Sequence, residues 1–257
     1  MTGARRVRAD RSPARACVLA LIVAGGFGGP VPSASARQVE QDPDALYAQR
    51  EDVVRAREAA TIWEQRLASD ARDFEAAWKL ARASYWLGGH VAAADQRRWY
   101  ERGIEAGTTA SGIEPKRPEG HFWTAANMGA LAESFGVRAG LKYRGAIKRE
   151  LETVLALDPA FQAGSADRAL GRWYAKVPGL FGGSKTKSVE HLQKSLTYNP
   201  DSTASHFFLA ETYFDMDRDP DARRELQKVL DAPIEPDFAP ESREFREKAR
   251  VLLARRR

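Results

Sequence analysis

The sequence predicts an all-α solenoid built from helical hairpins, and three observations carry that prediction. An apolar or aromatic residue is followed three and four positions later by a small or apolar pair at five places along the chain. Pro follows such a segment at Asn199-Pro200, where it ends the helix and forces an extended residue before it. No stretch alternates convincingly with period two, so we expect no sheet. The five segments are Trp63–Leu67, Tyr100–Ile104, Leu151–Leu155, Leu192–Leu196 and Leu226–Leu230.

The spacing of these segments indicates the repeat class. Leu192 and Leu226 lie 34 positions apart, which is the period of tetratricopeptide repeats. The first helix of each hairpin is marked by a large residue followed by a small one, which lets the partner helix approach closely. These pairs are Leu80-Ala81, Met128-Gly129, Leu170-Gly171 and Leu209-Ala210. We therefore predict a tetratricopeptide-like solenoid of four or five hairpins, ending in a C-terminal capping helix over 241–255.

The chain begins with the pattern of an export signal over residues 1–36. Five arginines precede the apolar run 17–27, and Ala34-Ser35-Ala36 offers a small-residue cleavage site. A membrane anchor is the alternative, but the apolar run is well short of the roughly 20 residues that a spanning helix needs. Twin-arginine export through Arg5-Arg6 is a weaker alternative, because no apolar residues follow the pair closely. We expect a cleaved signal peptide, followed by one helical domain over 37–257 in the periplasm.

The charge balance of the chain changes when the predicted leader, residues 1–36, is excluded. The whole chain has 40 basic and 35 acidic residues, but the leader holds five arginines and only one acidic residue, Asp10. The remainder is therefore close to neutral, which gives no argument for nucleic-acid binding. The one cysteine, Cys17, lies in the leader at the wrong end of the apolar run for lipidation, so we expect neither a disulfide nor a lipid anchor.

Along the chain, helical patterns alternate with Gly- and Pro-rich connections. We expect one charged helix from Asp42 through Leu67, then helices over 74–87, 91–106, 121–135, 146–157 and 167–175. Surface loops are predicted over 107–120, over 136–145 and over 177–184. The last two are extended loops at the same point of consecutive repeats, so we expect them on one face, where function is most readily placed.

Several motifs suggest chemistry, but their context argues against it. Gly179–Thr186 differs from a phosphate-binding loop by Ser184 at the second glycine, and a helix precedes it instead of a strand. Asp215, Asp217, Asp219 and Asp221 lack the glycine and the glutamate of a calcium loop. The four histidines have no metal-site spacing, and core packing is the favoured interpretation for His121 and His206. We therefore predict no catalytic residue, no metal site and no cofactor.

Five runs of residues resemble one protein family. The runs are 121–130, 155–159, 167–179, 181–185 and 203–211. They are similar to the T-component family of TRAP transporters, and the resemblance is clearest over 118–253. It implies an all-helical protomer, assembly as a homotrimer with channel-like cavities, and pairing with a periplasmic solute-binding protein. Family members that are lipoproteins have a lipidated cysteine after the signal, and this chain departs from that pattern.

We expect an exported, non-enzymatic adaptor or ligand conduit for a solute-binding protein, with a small apolar or organic-acid ligand as a possible cargo. The alternative is a scaffold that recognises peptides in its concave groove during envelope assembly. A closed apolar cavity would favour the first function, and an open polar trough the second. Seven residues are the candidates for ligand or partner binding: Trp123, Asn127, Tyr174, Leu180, Phe181, Lys185 and His206.

The loop over 177–184 supports two hypotheses of equal weight. Leu180 and Phe181 stand among glycines that impose little conformation on the backbone. In the first hypothesis these side chains line the mouth of a cavity, beside the extended loop over 136–145. In the second they only cover the core of the solenoid.

Overall fold

The computed structural model describes residues 42–256, and the predicted signal peptide lies outside them. The described part contains α-helices, two short 3₁₀ turns and no strand, which confirms the all-α prediction. The 3₁₀ turns are Gly179–Phe181 and Pro236–Phe238. The helices are α1 (Pro43–Ala48), α2 (Val53–Ser69), α3 (Phe74–His90), α4 (Ala93–Ile113), α5 (Pro118–Phe135), α6 (Val137–Leu157), α7 (Phe161–Lys176), α8 (Lys185–Tyr198), α9 (Thr203–Phe214), α10 (Asp219–Asp231) and α11 (Ala239–Arg255).

The helices pack as successive hairpins. Each helix from α2 to α10 contacts the next one, and α3, α5, α7, α9 and α11 also contact one another in that order. This is the two-layer arrangement of a helical solenoid, with one layer formed by the first helices of the hairpins. Leu151, Leu192 and Leu226 are at most 1% exposed, as the second-helix pattern predicts. The apolar periodicity therefore identifies the core correctly.

The amino-terminal helix differs from its prediction, because α1 and α2 replace one continuous helix. The chain turns at Gln49–Asp52, and the carboxylate of Asp52 accepts a hydrogen bond from the backbone N–H of Val54 at 2.9 Å. In a continuous helix the N–H of Val54 would donate to a backbone carbonyl oxygen one turn earlier. The Asp52 carboxylate accepts that hydrogen bond instead, as at the first turn of a new helix. An aspartate in mid-pattern therefore starts a new helix here.

The predicted surface loop over 107–120 is also wrong in its first half, because α4 continues to Ile113. Gly107 is inside this helix and packs against α5. A Cβ atom at Gly107 would lie 2.5 Å from Oγ1 of Thr124 and 2.9 Å from the backbone nitrogen of that residue. Gly107 lets α4 and α5 pack closely, and it does not mark a flexible connection.

The predicted extended loop over 136–145 is wrong as well, because α6 begins at Val137. Gly136, with φ of +80°, makes the tight turn between α5 and α6. Gly140 lies in open space inside α6, where a glycine costs about 1 kcal/mol relative to alanine. The packing of α6 against α5 outweighs that cost, as is usual for helices held by an apolar face.

One of the large–small pairs is out of register. His121 and His206 each face the carbonyl oxygen of a proline six positions earlier, which aligns α5 with α9. In this alignment Thr124-Ala125, both buried, matches Leu209-Ala210. Gly129 meets nothing within 4 Å, so the predicted pair Met128-Gly129 is not the equivalent position.

Candidate binding surface

The first helices present one common surface, which we call the inner face. It is the side of α3, α5, α7 and α9 that carries Tyr85, Glu133, Arg168, Arg172 and Glu211. Contacts between these helices define it. On α3 the ring of Tyr85 packs against Trp123 of α5, with 5.7 Å between the ring centroids, and Tyr85 remains 41% exposed.

Arg172 connects three helices at one end of the inner face. Its Nε and Nη2 atoms donate to the carboxylate of Glu133 on α5 at 3.0 and 2.9 Å, and its Nη1 atom pairs with Glu211 on α9. Its guanidinium also lies over the ring of Phe208 at 4.5 Å. Burial lowers the pKa of Arg172, but the two carboxylates more than offset this, so its pKa is raised overall. Arg172 therefore stays charged, and its guanidinium is already paired with two carboxylates.

Arg168 lies one helical turn before Arg172 on the same side of α7. It forms no ion pair and no hydrogen bond to any side chain within 42–256. The side chain is half-buried, and burial lowers the pKa of its guanidinium, while the charges of Tyr85 and Glu235 act in the opposite direction. Arg168 is thus a partly desolvated cation on the inner face.

The turn after α1 contacts the last described helix, α11. Arg50, which is 5% exposed, follows α1 and donates to the carboxylate of Glu241 on α11 at 3.0 and 2.6 Å. It also donates to the backbone oxygen of Asp237 at 2.9 Å. Next to it, Glu51 pairs with Arg243 at 2.5 Å. These contacts join the amino-terminal turn of the described chain to its last helix.

A histidine adds to this closure. His90, at the end of α3, stacks on Trp86 with 3.7 Å between the ring centroids and pairs through Nε2 with Glu244 of α11. Burial lowers the pKa of His90, but the hydrogen bonds to Glu244 and to the carbonyl oxygen of Trp86 outweigh it, so the pKa is raised overall. The end of α3 is thus joined to α11 by a charge-assisted hydrogen bond.

The loop between α7 and α8 is fixed by its backbone. The N–H of Ser184 donates to the carbonyl oxygen of Tyr174 at 3.0 Å, and the 3₁₀ turn Gly179–Phe181 fills the space between. A Cβ atom at Gly183 would lie 1.7 Å from the carbonyl oxygen of Val177, so no other residue fits this position. The loop has a defined conformation.

The apolar side chains of this loop point outward. Leu180 is 89% exposed and Phe181 is 38% exposed. The ring of Phe181 lies 5.4 Å from the guanidinium of Arg144 on α6, whose carbonyl oxygen accepts a hydrogen bond from the indole of Trp173 at 2.9 Å. Leu180 therefore presents a large apolar group to solvent beside the amino-terminal half of α6.

Each of three successive hairpins contains a histidine–carboxylate pair at the same position. In α5–α6 the Nδ1 atom of His121 is 2.6 Å from Glu150, and in α9–α10 that of His206 is 2.6 Å from Glu225. In α7–α8 the residue types are exchanged, with His191 2.7 Å from Asp167. Burial raises the pKa of Glu225, but hydrogen bonds from His206 and Lys228 outweigh it and lower the pKa overall. These pairs join the two helices of each hairpin.

Two family models match this helical-repeat chain. Residues 119–257, more than half of the chain, match the model of the TRAP transporter T-component family. The chain belongs to this family. Membership in the T-component family implies a helical-repeat protein associated with a TRAP transporter. Residues 41–181 also match a second family model, described as regulator of microtubule dynamics protein 1-3, which overlaps the first over 119–181.

One solved structure bears out the repeat class of this T-component family member. The chain is similar to the thermophilic TPR protein TTC0263 of Thermus thermophilus, with a TM-score of 0.62 and 24% identity over 84% of this chain and 99% of that one. It also matches MamA of Desulfovibrio magneticus, with a TM-score of 0.49 and 19% identity over 75% of this chain and 96% of that one. The first likeness confirms the tetratricopeptide-like fold. No curated protein matches the sequence.

Three of the seven candidate residues lie inside the T-component fold. Trp123 is 9% exposed, and only its contact with Tyr85 places it at the inner face. Asn127 is fully buried and donates to the backbone oxygens of Ala81 and Trp123 at 3.0 and 2.8 Å, so it joins α5 to α3. Tyr174 is 7% exposed and stacks on His191 with 5.3 Å between ring centroids. A binding role for these residues stays a prediction.

The other candidates lie on two separate surfaces. Lys185 follows the loop that carries Leu180 and Phe181, donates to the carbonyl oxygen of Ala175 at 2.9 Å and pairs with Asp215, the residue directly after α9. His206 lies at a surface pocket of about 270 Å³ at the start of α9. The pocket is lined by Pro200, Asp201, His206, Lys228, Asp231 and Ala232. The structure thus brings Leu180, Phe181 and Lys185 together and leaves His206 apart from them.

Sequence reasoning missed Arg168 and the histidine–carboxylate pairs. A signal for the pairs was present, because the residue before each of Leu151, Leu192 and Leu226 is Glu150, His191 or Glu225. The sequence contains no such signal for Arg168, because whether an arginine has an ion-pair partner depends on residues of neighbouring helices. Over 42–256 no group of side chains is arranged to hold a metal ion, and no helix is long and apolar enough to cross a membrane.

Proposed function

We propose that this protein acts in the periplasm as a non-enzymatic adaptor or ligand conduit for the solute-binding protein of a TRAP uptake system. The family match supports the association with such a system. The observation that carries the adaptor role is Leu180, an 89% exposed leucine on a loop with a fixed backbone. A large apolar side chain on a preorganised loop fits a partner pocket at little entropic cost.

The contacts between the two ends of the described solenoid support the conduit part of the proposal. The contacts of Arg50 and His90 with α11 join the two ends of the solenoid. A ligand on the inner face would therefore be surrounded by helices of one protomer, as small-molecule sites usually are.

Peptide binding is the second candidate function, and the cluster of Glu133, Arg172 and Glu211 favours it. These groups make part of the inner face strongly polar, which suits a peptide backbone better than an apolar ligand. The same cluster is internally saturated, so it offers few free hydrogen-bonding groups. We therefore rank the scaffold function second.

The adaptor role is tested by measuring binding to a TRAP solute-binding protein from the same organism. Leu180→Ser should weaken the affinity, measured by isothermal titration calorimetry, about tenfold, because loss of a well-packed anchor at an interface costs more than about 1 kcal/mol. Val54→Ser is the matched control, since Val54 is 59% exposed on α2. Equal affinities for both variants and the unmodified protein would refute the role of this loop.

Export and assembly are separate parts of the proposal. Intact-mass measurement of periplasmic material should give a chain that begins at Arg37 with no acyl group, because the small-residue site directly follows the apolar run. Light scattering should give a mass near three protomers. A retained leader or an added acyl mass would contradict the first expectation, and a monomer at micromolar concentration the second.

A further inference from the structure

The last helix, α11, contacts both ends of the described solenoid, and the chemistry differs between the two ends. Phe245 packs against the rings of Phe207 and Phe208 on α9, with 5.4 and 5.5 Å between the ring centroids. Glu241 and Glu244 instead make polar contacts to the turn after α1 and to the end of α3. A change of pH can therefore act on the contacts at the amino-terminal end while the aromatic contacts to α9 persist.

His90, at the end of α3, lies between two hydrogen-bond acceptors. Its Nδ1 atom is 2.6 Å from the backbone oxygen of Trp86, and its Nε2 atom pairs with the carboxylate of Glu244. A neutral imidazole carries one N–H, so it can donate to only one of these acceptors, and its other nitrogen then faces an oxygen lone pair. The imidazolium carries two N–H groups and satisfies both acceptors. The geometry of this site therefore favours the charged form of His90.

His90 is the group of this site that changes charge near neutral pH. From α4, the hydroxyl of Tyr100 would lie 3.8 Å from a Cβ atom at Gly89, and burial raises the pKa of this tyrosine. Carboxylates, lysine and arginine ordinarily titrate outside the range of about pH 5 to 8, whereas histidine titrates inside it. Apart from Glu244, the charged groups that face the site from the turn after α1 and from α11 are Arg50 with Glu241, Glu51 with Arg243, and Lys248.

The direction of the pH effect follows from the two partners. Burial lowers the pKa of His90, but the hydrogen bonds to Glu244 and Trp86 outweigh it and raise the pKa above the ordinary 6.5. The contact therefore stabilises the fold fully below 6.5, and this contribution is lost as the pH rises through the raised pKa. Burial raises the pKa of Glu244, but the hydrogen bond from His90 outweighs it, so that pKa is lowered. Glu244 thus stays charged while His90 loses its proton.

We propose that His90 is a pH-sensitive switch for the contact between α3 and α11. Protonated His90 holds the amino-terminal half of α11 against the end of α3, and loss of the proton releases this contact. Phe245 then keeps α11 on α9, and the pair of Arg50 with Glu241 limits the movement. The switch goes beyond the proposed function, because it is a property of this chain alone and needs neither ligand nor partner.

The test combines NMR of the histidine side chains with amide hydrogen exchange on the full protein. The imidazole of His90, assigned by comparison with His90→Phe, should titrate above the ordinary 6.5. Between about pH 6 and about pH 8.5, protection in the amino-terminal half of α11, corrected for the intrinsic exchange rate, should fall about two- to fivefold. His90→Phe retains a ring on Trp86 but loses both hydrogen bonds, so its protection should be low at both pH values.

Glu244→Gln is the decisive variant, because its amide can donate to Nε2 of the neutral imidazole while Nδ1 donates to Trp86. Its protection should be the same at both pH values and close to that of the unmodified chain near pH 6. Glu247→Gln is the matched control, since Glu247 lies on the same helix and pairs with Arg250, and it should keep the full pH dependence.

Four outcomes would overturn the proposal. They are a His90 that titrates at or below its ordinary value, protection of α11 that does not change with pH, a Glu244→Gln variant that keeps the full pH dependence, and a Glu247→Gln variant that loses it. A loss of protection spread evenly over all helices would also overturn it, because the change would then belong to the fold as a whole. None of these outcomes bears on binding to a solute-binding protein, so the proposed function is tested separately.

Discussion

Two crossings between neighbouring hairpins occupy equivalent positions but use different chemistry. Where α4 meets α5, the backbones touch, and a Cβ atom at Gly120 would lie 2.4 Å from the backbone nitrogen of Ser111. Where α8 meets α9, the equivalent residue is Ser205, whose hydroxyl accepts a hydrogen bond from Ser195 at 2.8 Å. The first crossing depends on the absence of a side chain, whereas the second depends on paired hydroxyl groups.

The same contrast continues along both crossings. In α4 a Cβ atom at Gly103 would lie within 2.5 Å of the buried amide of Asn127. At the corresponding level of the second crossing, Thr212 receives a hydrogen bond at 3.0 Å from Ser188. One repeat fold thus tolerates both solutions, but they should respond differently to substitution. A side chain added at a glycine of the α4–α5 crossing should disrupt the packing there. Loss of one hydroxyl at the α8–α9 crossing should weaken that crossing only modestly.

The largest effect is expected for Gly120→Ala. The new methyl group would overlap the backbone of Ser111, which cannot move aside as a flexible side chain can. We expect a loss of about 3 kcal/mol in unfolding free energy and a fall in melting temperature of roughly 6–12 °C. Gly112→Ala, in the same crossing on α4 but with nothing within 4 Å, should be neutral or slightly stabilising. Similar losses in both variants would show that helix propensity, and not the crossing, sets the requirement for glycine.

A smaller loss is expected for Ser188→Ala in the second crossing. Thr212 donates its hydroxyl proton to the carbonyl oxygen of Phe208 at 2.9 Å, so Ser188 is the donor of the pair. Removal of this buried bond should cost about 1 kcal/mol in urea unfolding. Thr212→Val alone should cost a similar amount, and the double variant clearly less than the sum. Strict additivity would mean that the two hydroxyls stabilise the crossing independently.

The smallest effect is expected for Glu225→Gln and depends on pH. The pKa of Glu225 is lowered below its usual 4.5, so its charge stabilises the fold fully above that value. The contribution is lost as the pH falls through the lowered pKa. At pH 7 we expect a cost of about 0.5 kcal/mol relative to the unmodified chain, since His206 and Lys228 lose a charged partner.

The matching residue of the α5–α6 hairpin provides the comparison. Glu150 pairs with His121, but its side chain is 28% exposed against 11% for Glu225. Glu150→Gln should therefore cost less at pH 7, because solvent screens the more exposed pair. Chemical unfolding at pH 7 and near pH 3 measures both effects. A Glu225→Gln deficit that persists unchanged near pH 3 would contradict the electrostatic explanation.

These crossings also explain which parts of the fold could be predicted from sequence. The apolar spacing placed Leu151, Leu192 and Leu226 in the core, because burial repeats with the helix period. The loop prediction over 107–120 failed because glycine has two uses, in turns and at close helix contacts, and one sequence does not separate them. Gly107 belongs to the second class only because Thr124 lies against it.

The candidate surface was predictable only in part. Leu180 and Phe181 stood out as large apolar residues among glycines, and both are at the surface. Arg168 did not stand out, because whether it has an ion-pair partner within 42–256 depends on residues of other helices. Unpaired charge is a property of three-dimensional neighbours, whereas apolar periodicity is a property of the chain itself.

The contact between Arg50 and Glu241 has a consequence for the order in which the chain folds. These residues are 191 positions apart, whereas a solenoid usually contains contacts within and between neighbouring repeats only. Helical repeats can form rapidly and locally, but this ion pair requires closure of a loop that spans nearly the whole domain. The helices before α11 can therefore form early, while the amino-terminal turn gains its buried partner only after the last helix has emerged and docked. Closure of the inner face is then the final step of folding.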